Sequence, residues 1–199
     1  MPHIDYYLFT KSPFTYLAGT RLEQVAARHG ATITYKPVDL PRLFARTGGL
    51  LPPDRHLSRQ EYRLQELTRV AAERGLPINL KPAFGGANAA PAAYALIAAQ
   101  SAGGGDLGRL AHAFNRSVWA DERDVGDNGV IRACLQEAGF DASLADSGLL
   151  EGAETYERNL EEAVAAGVFG APFYIADDGQ RFWGQDRIDD LDRNLAGRG

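Results

Sequence analysis

The sequence contains a single cysteine, Cys134, and only three lysines among its 199 residues. One thiol can form neither an intrachain disulfide framework nor a zinc cluster held by cysteines. The four histidines lie far apart and show neither HxxxH nor HExxH spacing, which would place two imidazoles on one metal ion. The sequence therefore predicts no metal site, and it excludes a fold that depends on disulfides.

Long apolar runs are also missing. No stretch of about 18 apolar residues occurs, and the N-terminus has neither the basic nor the apolar region of a secretion signal. The formal net charge of -5 gives no general attraction to nucleic-acid phosphates or to anionic membranes. We expect a soluble, cytoplasmic protein without nucleic-acid or membrane partners. Its 45% hydrophobic content is enough for one sizeable core.

Strand-forming residues open the chain. Residues 4–10, rich in aromatic side chains, predict a buried strand. Ser12 is a preferred N-cap and Pro13 fits the first helical position, so a helix begins there and its apolar spacing continues to Gly30. Residues 32–38 predict a second strand. The opening is therefore β-α-β.

The middle of the chain, residues 40–167, shows only helical periodicity. An S-x-x-E capping box from Ser58 to Glu61 predicts the start of a helix that ends at Gly75. Further helices are predicted from Pro91 to the glycines at 103–105, from the cap Asp106 through Trp119, over residues 128–137 and over residues 150–166.

Strand-forming residues return near the end. Residues 173–175 and 180–183 predict a hairpin around the Asp-Asp-Gly turn at 177–179. A last amphipathic helix is predicted from Arg187 to Leu195. The order is thus β-α-β, helices, then β-β-α.

This order predicts an α/β protein with a thioredoxin fold and a large all-helical insertion. The thioredoxin fold is built from the two flanking units, β-α-β and β-β-α. We assign residues 1–38 and 168–199 to a thioredoxin-like domain and residues 39–167 to a helical insertion domain.

The segment Ser12-Pro13-Phe14-Thr15 lies at the predicted strand-to-helix turn. Taken alone, it is a good helix start. In thioredoxin-like proteins, however, this turn carries a reactive CxxC motif, because free helix N–H groups and the helix dipole stabilise a thiolate. With Ser12 and Thr15 at the two cysteine positions, the chain cannot exchange disulfides. Ser12 can instead donate a hydrogen bond to the thiol of a ligand and lower the pKa of that thiol.

A second segment, residues 168–174, contains Ala171-Pro172 before a predicted strand. It is either an ordinary strand entry with a proline outside the ladder or a cis-proline loop. A cis bond would turn the backbone N–H and C=O of Ala171 outward, where they can pair with an extended peptide such as glutathione.

A third segment, residues 183–187, is either a hairpin end followed by a helix cap or an anchor for the γ-glutamyl end of glutathione. Asp186 can pair with the ammonium group of that end. Gln185 and the backbone N–H groups at the helix start can hold its carboxylate.

Several motifs in order resemble the 2-hydroxychromene-2-carboxylate isomerase family, which is related to the kappa-class glutathione transferases. The opening from Tyr7 to Ala18 carries most of the resemblance. The other matching segments are Val38 to Leu40, Gly48 to Pro53, Phe114 to Asp124, Val168 to Pro172 and Trp183 to Arg187. The resemblance covers nearly the whole chain. It implies a thioredoxin fold, glutathione as cofactor and a homodimer.

The resemblance also implies roles for individual residues. Ser12 resembles the catalytic serine that holds the glutathione sulfur. Ala171 stands directly before Pro172, at a position that is usually valine, and the residue at this position pairs with the glutathione backbone. The γ-glutamyl group is expected at Trp183, Gly184, Gln185 and Asp186.

The chain departs from the family pattern where the substrate is expected. Gly49 replaces an asparagine, Phe44 stands where some members have a lysine, and Gly85 stands near a tyrosine position. Where some members have an Asn-Arg pair, this chain has Asp54-Arg55, so only the arginine is kept. The substrate-side residues are expected to be Phe44, Asp54, Arg55, Gly85 and Trp119. Because the glutathione side matches better, the cofactor is predicted more firmly than the substrate.

Other polar residues are weaker candidates. Arg42, Arg46 and Arg59 could assist Arg55 in holding a carboxylate. The histidines at 56 and 112 could approach the site from the helical block. Cys134 is expected to pack in the core rather than to act as a nucleophile.

The family reaction is a cis/trans isomerisation of an aromatic α-keto acid during the degradation of aromatic compounds. The glutathione thiolate adds reversibly to an unsaturated carbon, and a nearby arginine or backbone N–H stabilises the enolate-like charge. One alternative is a kappa-like glutathione transferase or peroxidase, and another is a glutathione-binding module without turnover. A disulfide oxidoreductase is disfavoured because no CxxC motif is present.

Overall fold

The computed structural model describes residues 1–197. Four strands form one mixed sheet in the order β2-β1-β3-β4, in which β1 runs parallel to β2 and antiparallel to β3, and β3 pairs antiparallel with β4. The strands are β1 (His3–Leu8), β2 (Thr32–Pro37), β3 (Phe173–Ala176) and β4 (Arg181–Trp183). The arrangement confirms the predicted thioredoxin fold.

Helices account for the other regular elements in the described chain. The α-helices are α1 (Pro13–Ala18), α2 (Arg21–His29), α3 (Leu40–Thr47), α4 (Leu57–Arg74), α5 (Ala90–Ala102), α6 (Leu107–Trp119), α7 (Asn128–Glu137), α8 (Leu144–Ser147), α9 (Leu149–Ala165) and α10 (Ile188–Ala196). Two 3₁₀ turns cover Pro52–Asp54 and Gln185–Arg187. The elements between β2 and β3 are all helical within residues 1–197, as predicted.

Strand β1 is buried on both faces, and its side chains alternate between two clusters. Ile4, Tyr6 and Leu8 belong to the larger cluster, whereas Tyr7 belongs to a second one. The Tyr6 ring stacks on Tyr174 of β3, with 5.1 Å between the ring centroids. This double burial explains why residues 4–10 read as a continuous apolar run rather than as an alternating one.

The first predicted helix is wrong in one respect, because the chain forms two helices there. Helix α1 ends at Ala18, and Gly19 follows with a φ of 59°, a conformation that favours glycine. Helix α2 then begins at Arg21 and ends before Gly30, as predicted, and Gly30 adopts the left-handed conformation. The apolar spacing alone did not reveal this interruption, since both helices bury residues in the same core.

Helix α4 also begins differently from the prediction. The capping box placed Ser58 at the cap, but the helix begins at Leu57 with His56 as its cap. His56 Nδ1 accepts a hydrogen bond from the Ser58 N–H at 3.3 Å. The predicted end is confirmed, because Gly75 adopts the left-handed conformation that closes the helix.

Helix α5 lies at the centre of the helical block. Five of its seven alanines are buried, and small residues let α9 approach it closely. A Cβ placed on Gly152 of α9 would lie 2.5 Å from Tyr94 Cβ, and one on Gly148 would lie 2.2 Å from Ala98 Cβ. Glycine at both positions therefore permits the contact between the two helices.

The predicted domain division, residues 1–38 with 168–199 and residues 39–167, stays a prediction. The four strands lie in the flanking segments, but the larger buried cluster combines residues from the flanking segments and the insertion. Residues 198 and 199 lie outside the described part of the chain.

Candidate active site

A cleft of about 670 Å³ opens where three strand ends meet the helical block. One wall comes from the residues that follow β1, precede β3 and follow β4, represented by Ser12, Ala171 and Gln185. The opposite wall comes from α3, α4 and the connection between them, represented by Phe44 and Arg55. The segments singled out in the sequence are thus brought together in one cavity.

Ser12 lies at the base of the cleft and caps α1. Its Oγ accepts a hydrogen bond from the Thr15 N–H at 3.3 Å. The hydroxyl proton is directed to the carbonyl oxygen of Ala171 at 3.5 Å, the outer limit for a hydrogen bond. The side chain is only 3% exposed, and its hydroxyl makes only a long, weak hydrogen bond as a donor.

The Ala171-Pro172 peptide bond is cis, as the functional interpretation of this segment required. Ala171 lines the cleft beside Ser12, whereas Pro172 lies behind it and is not part of the lining. The Pro172 carbonyl accepts a hydrogen bond from the Gly184 N–H at 3.0 Å. This bond joins the loop before β3 to the segment after β4.

The segment after β4 has a backbone that requires glycine. Gly184 has a φ of 111°, and a Cβ there would lie 2.4 Å from Asp186 Oδ1. Gln185 is buried, and its Oε1 has no hydrogen-bond partner within residues 1–197. The Asp186 carboxylate is exposed and lies 3.5 Å from Arg187 Nε. Both side chains border the cleft and offer hydrogen-bond acceptors.

Trp183 forms the rim of this wall and is 52% exposed. Its indole lies against Gly170, where a Cβ would approach Nε1 to 2.4 Å. Phe169 packs edge-on against the same indole, with 4.9 Å between the ring centroids. The lack of a side chain at position 170 therefore lets the rim close over the cis-proline loop.

On the opposite wall, Phe44 occupies space next to Gly49. A Cβ on Gly49 would lie 2.4 Å from Phe44 Cδ1, so these two departures from the family pattern are sterically linked. The Arg55 guanidinium lies over the Phe44 ring at 5.7 Å, and its Nε donates to the Leu50 carbonyl at 2.9 Å. Burial lowers the pKa of Arg55, and the nearby positive charge of Arg59 lowers it further.

Trp119 closes the inner end of the cleft. Its indole N–H donates to the Lys11 carbonyl at 3.1 Å, and the Arg63 guanidinium lies over the ring at 5.9 Å. Sequence reasoning missed Arg63. The signal was the four-residue spacing of Arg55, Arg59 and Arg63, which places the last two on one face of α4.

Lys11 was also missed, although it immediately precedes Ser12. Its half-buried ammonium lines the cleft and donates a hydrogen bond to the Ala87 carbonyl at 2.5 Å. Burial lowers the pKa of Lys11, while the charge of Asp124 opposes this shift. The signal was its position at the end of a strand, next to the candidate catalytic serine.

Not every predicted substrate residue borders the cleft. Gly85 does, but Asp54 is an exposed residue of the first 3₁₀ turn and is not part of the lining. Arg59 lines the cleft, whereas Arg42 and Arg46 form ion pairs with glutamates of α9. Their guanidinium groups are engaged on α9, so they are poor candidates for the substrate.

The two histidines raised as candidates do not border the cleft. His56 caps α4, as described above. His112 stacks on Tyr16 with 5.4 Å between the ring centroids, and burial lowers the pKa of its imidazole. Cys134 is buried as predicted, with its sulfur 3.5 Å from Ser117 Oγ, and burial raises the pKa of this thiol.

Residues 1–197 contain neither a metal-binding cluster nor a membrane-spanning helix. No group of three or more His, Cys, Asp and Glu side chains is placed to hold a metal ion. None of the helices in this range has both the length and the apolar character needed to cross a membrane.

The sheet order, the cis-proline and the strand-to-helix turn define a class of protein. The chain belongs to the DSBA-like thioredoxin domain family, whose sequence profile matches residues 3–196. Within that fold it is similar to 2-hydroxychromene-2-carboxylate isomerases. The isomerase of Sphingobium xenophagum is 30% identical over 195 residues, which covers 96% of this chain and 97% of that protein.

Solved structures give the same placement. A 2-hydroxychromene-2-carboxylate isomerase superposes with a TM-score of 0.75 at 26% identity, covering 98% of this chain and 95% of the other. A probable DsbA oxidoreductase from Streptomyces coelicolor superposes with a TM-score of 0.74 at 19% identity, covering 99% of this chain and 89% of the other. At this low identity, the second similarity is evidence of a shared fold only.

Proposed function

We propose that this protein is a glutathione-dependent isomerase that acts on 2-hydroxychromene-2-carboxylate or a related aromatic α-keto acid in the degradation of aromatic compounds. The relatives named as isomerases match over nearly the full length of both chains. The observation that carries the proposal is the buried Ser12 hydroxyl, which is weakly held beside the cis-proline loop at the base of a large cleft.

The residues of the sheet-end wall fit glutathione. Ser12 can donate a hydrogen bond to the sulfur, since its present acceptor is 3.5 Å away. The backbone of Ala171 is placed to pair with an extended peptide along the cis-proline loop. The Asp186 carboxylate can pair with the γ-glutamyl ammonium, and the Gln185 side chain can hold the γ-glutamyl carboxylate.

When bound, glutathione would supply a thiolate nucleophile, which adds reversibly to a substrate double bond and so permits its isomerisation. Ser12 and the free N–H groups of the first turn of α1 favour the charged form of the sulfur, because both present positive partial charge to it. Ser12 therefore acts by stabilising a thiolate at neutral pH, where a free thiol is mostly protonated.

The opposite wall fits an aromatic acid. Phe44 and Trp119 offer flat apolar surfaces for a ring. The Arg55 guanidinium lies over the Phe44 ring with no carboxylate paired to it among the described residues. It can hold the carboxylate of the α-keto acid in a bidentate manner and stabilise the negative charge that develops next to it.

The test is a pH titration of the thiolate absorbance of bound glutathione near ~240 nm, in the wild type and in Ser12→Ala. We expect a thiol pKa well below the free value in the wild type and an upward shift of about one unit or more in the variant. Ser147→Ala removes an exposed serine hydroxyl of α8 and serves as the control.

Turnover of 2-hydroxychromene-2-carboxylate is measured on the same three proteins. We expect Ser12→Ala to lower kcat by about 10²-fold, the cost of losing one hydrogen-bond donor to a reacting anion. A wild type that binds no glutathione, or binds it with an unshifted thiol pKa, would contradict the proposal.

A kappa-like glutathione transferase or peroxidase is the second candidate. The observation in its favour is Phe44, which makes this part of the cleft apolar where some isomerases have a lysine. An isomerase leaves the glutathione concentration unchanged during turnover, whereas a transferase or peroxidase consumes it. Binding of glutathione without any turnover would identify a glutathione-binding module instead.

We further propose that the protein works in the cytoplasm as a homodimer, as its resemblance to the isomerase family implies. Light scattering coupled to size-exclusion chromatography measures the assembly directly. A mass near twice the 21.6 kDa of one chain is expected, and a mass equal to one chain would contradict it.

A further inference from the structure

The cleft carries more positive charge than one carboxylate group requires. Its basic lining residues are Lys11, Arg55, Arg59, Arg63 and Arg187, against the acidic residues Glu66 and Asp186. This excess stands out in a chain whose formal net charge is -5. Glu66 is already engaged, because it accepts hydrogen bonds from Arg69 and Tyr62. Asp186 lies beside Arg187 and offsets the charge of that residue.

Three of the basic residues form a row on the substrate wall. Arg55 precedes α4, and Arg59 and Arg63 follow on one face of that helix, separated by a rise of about 6 Å. Within residues 1–197 no carboxylate forms an ion pair with any of the three. Their mutual repulsion is therefore not offset by the protein itself.

Arg63 is the most deeply placed member of this row. It is half-buried over the Trp119 ring, and burial together with the charge of Arg55 lowers the pKa of its guanidinium. A guanidinium that stacks on an aromatic ring keeps its edge N–H groups free, and those groups match a carboxylate in a bidentate geometry. The arrangement repeats that of Arg55 over Phe44.

The two arginine-aromatic pairs have different places in the cleft. Arg55 and Phe44 lie toward the connection between α3 and α4, while Arg63 and Trp119 lie where Trp119 contacts the Lys11 carbonyl next to Ser12. A flat substrate that fills the cleft between the aromatic rings therefore meets one unpaired guanidinium near each ring.

We propose that Arg63, whose guanidinium lies over the Trp119 ring, binds a second acid group of the substrate. The preferred substrates are then aromatic α-keto acids that carry an additional carboxylate on the ring. This inference rests on the proposed function for the identity of the α-keto acid, but the second anion site is defined by the chain's own residues.

Isothermal titration with two unreactive probes tests the site apart from catalysis. The probes are 3-phenylpropanoate, with one carboxylate, and 3-(4-carboxyphenyl)propanoate, with two, each titrated into protein saturated with glutathione. Neither has a double bond to which the thiolate could add. We expect the wild type to bind the dicarboxylate roughly tenfold more tightly, and Arg63→Met to abolish this preference while keeping the apolar stem over Trp119. Arg63→Lys should keep part of the preference, because it retains the charge but not the planar fork.

The matched control is Arg109→Met on α6, which removes an exposed arginine outside the cleft. It should keep the full preference, and thermal melting of each variant shows whether the fold is intact. Equal binding of the two probes by the wild type, or a preference retained in Arg63→Met, would overturn the proposal.

Two further outcomes separate this site from its alternatives. If Arg63→Met weakens glutathione binding while the preference between probes is unchanged, Arg63 serves the glycine carboxylate of the cofactor and the proposal is wrong. If the preference depends on Arg63 but 2-hydroxychromene-2-carboxylate is not turned over, the second anion site stands and the proposed isomerase function fails.

Discussion

The two walls of the cleft are built in different ways. The wall of Ser12, Ala171 and Gln185 comes from chain segments directly joined to strands, and its shape depends on a cis peptide bond and a glycine backbone. The wall of Phe44, Arg55 and Arg63 comes from side chains presented by α3, α4 and their connection. Few substitutions are tolerated in a wall whose shape is set by the backbone, which we call the backbone-built wall, because they would disturb the sheet. In a wall made of side chains presented by helices, the side-chain wall, residues can be substituted and the polarity of the wall can change. This difference explains why the departures from the family pattern collect on the helical side.

The sharpest test of the backbone-built wall is Gly184→Ala. The added Cβ would approach Asp186 Oδ1 and force an alanine into a φ of 111°, so we expect glutathione affinity to fall by about tenfold or more. Calorimetric titration of glutathione measures the effect.

Gly179→Ala is the matched control for that change. It also forces a positive φ of 82°, but no atom lies within 4 Å of its added Cβ. It should cost about 1 kcal/mol of stability and leave glutathione binding unchanged. Equal losses of affinity in both variants would show that strain in the hairpin, rather than the shape of the wall, controls binding.

A smaller effect is expected on the side-chain wall, where Gly49 and Phe44 are coupled. Gly49→Ala should displace the Phe44 ring and raise KM for the substrate, since its Cβ would lie 2.4 Å from Cδ1. In a Phe44→Ala background the same substitution should be harmless. A double-mutant cycle on unfolding free energies should therefore give a coupling of about 1 kcal/mol. Additive effects would contradict the contact, and glutathione affinity should not change in any of the variants.

The smallest predicted effect concerns Glu23 of α2, which does not line the cleft. Glu23 accepts a hydrogen bond from Tyr35 Oη at 2.7 Å, and its second oxygen has no partner within the described residues. Burial raises the pKa of its carboxyl group above the unfolded value. The contribution of this group to stability is therefore full below about pH 4.3 and is lost as pH rises through the folded-state pKa.

Glu23→Gln should remove that dependence, because the amide does not ionise. The unfolding free energy of the wild type relative to the variant should fall between pH 4 and pH 8, as the folded-state carboxyl group loses its proton. Urea unfolding at both pH values measures the change. A constant difference between the two proteins would show that Glu23 does not titrate differently in the folded state.

The sequence predicted the backbone-built wall better than the side-chain wall. Ser12 as a cap, Pro172 in a loop before a strand, and the order of elements follow from local preferences that act within a few residues. Whether Arg63 points into the cleft depends on the orientation of α4 relative to Trp119. That orientation is set by packing between segments that are distant in the sequence. Arg42 and Arg46 show the same limit, since they carry the right charge but are paired with α9.

Local patterns also failed where two signals competed. The helical spacing after Ser12 favoured one helix, and only the positive φ of Gly19 divides it. The cap lies two residues before the predicted Ser58, because the His56 imidazole accepts a hydrogen bond from the Ser58 N–H and the helix begins at Leu57.

The larger buried cluster has a consequence for how this protein could be altered. Ile4 and Tyr6 from the sheet share it with Leu67, Leu96 and other residues of the helical block. The helical block therefore cannot be removed or exchanged as a unit. Removing it would expose the apolar side chains of the strands that pack against it, and replacing it with that of a relative would bring in side chains that do not fit this core. New specificities are more readily engineered by changing side chains on α3 and α4 in place than by exchanging the whole block.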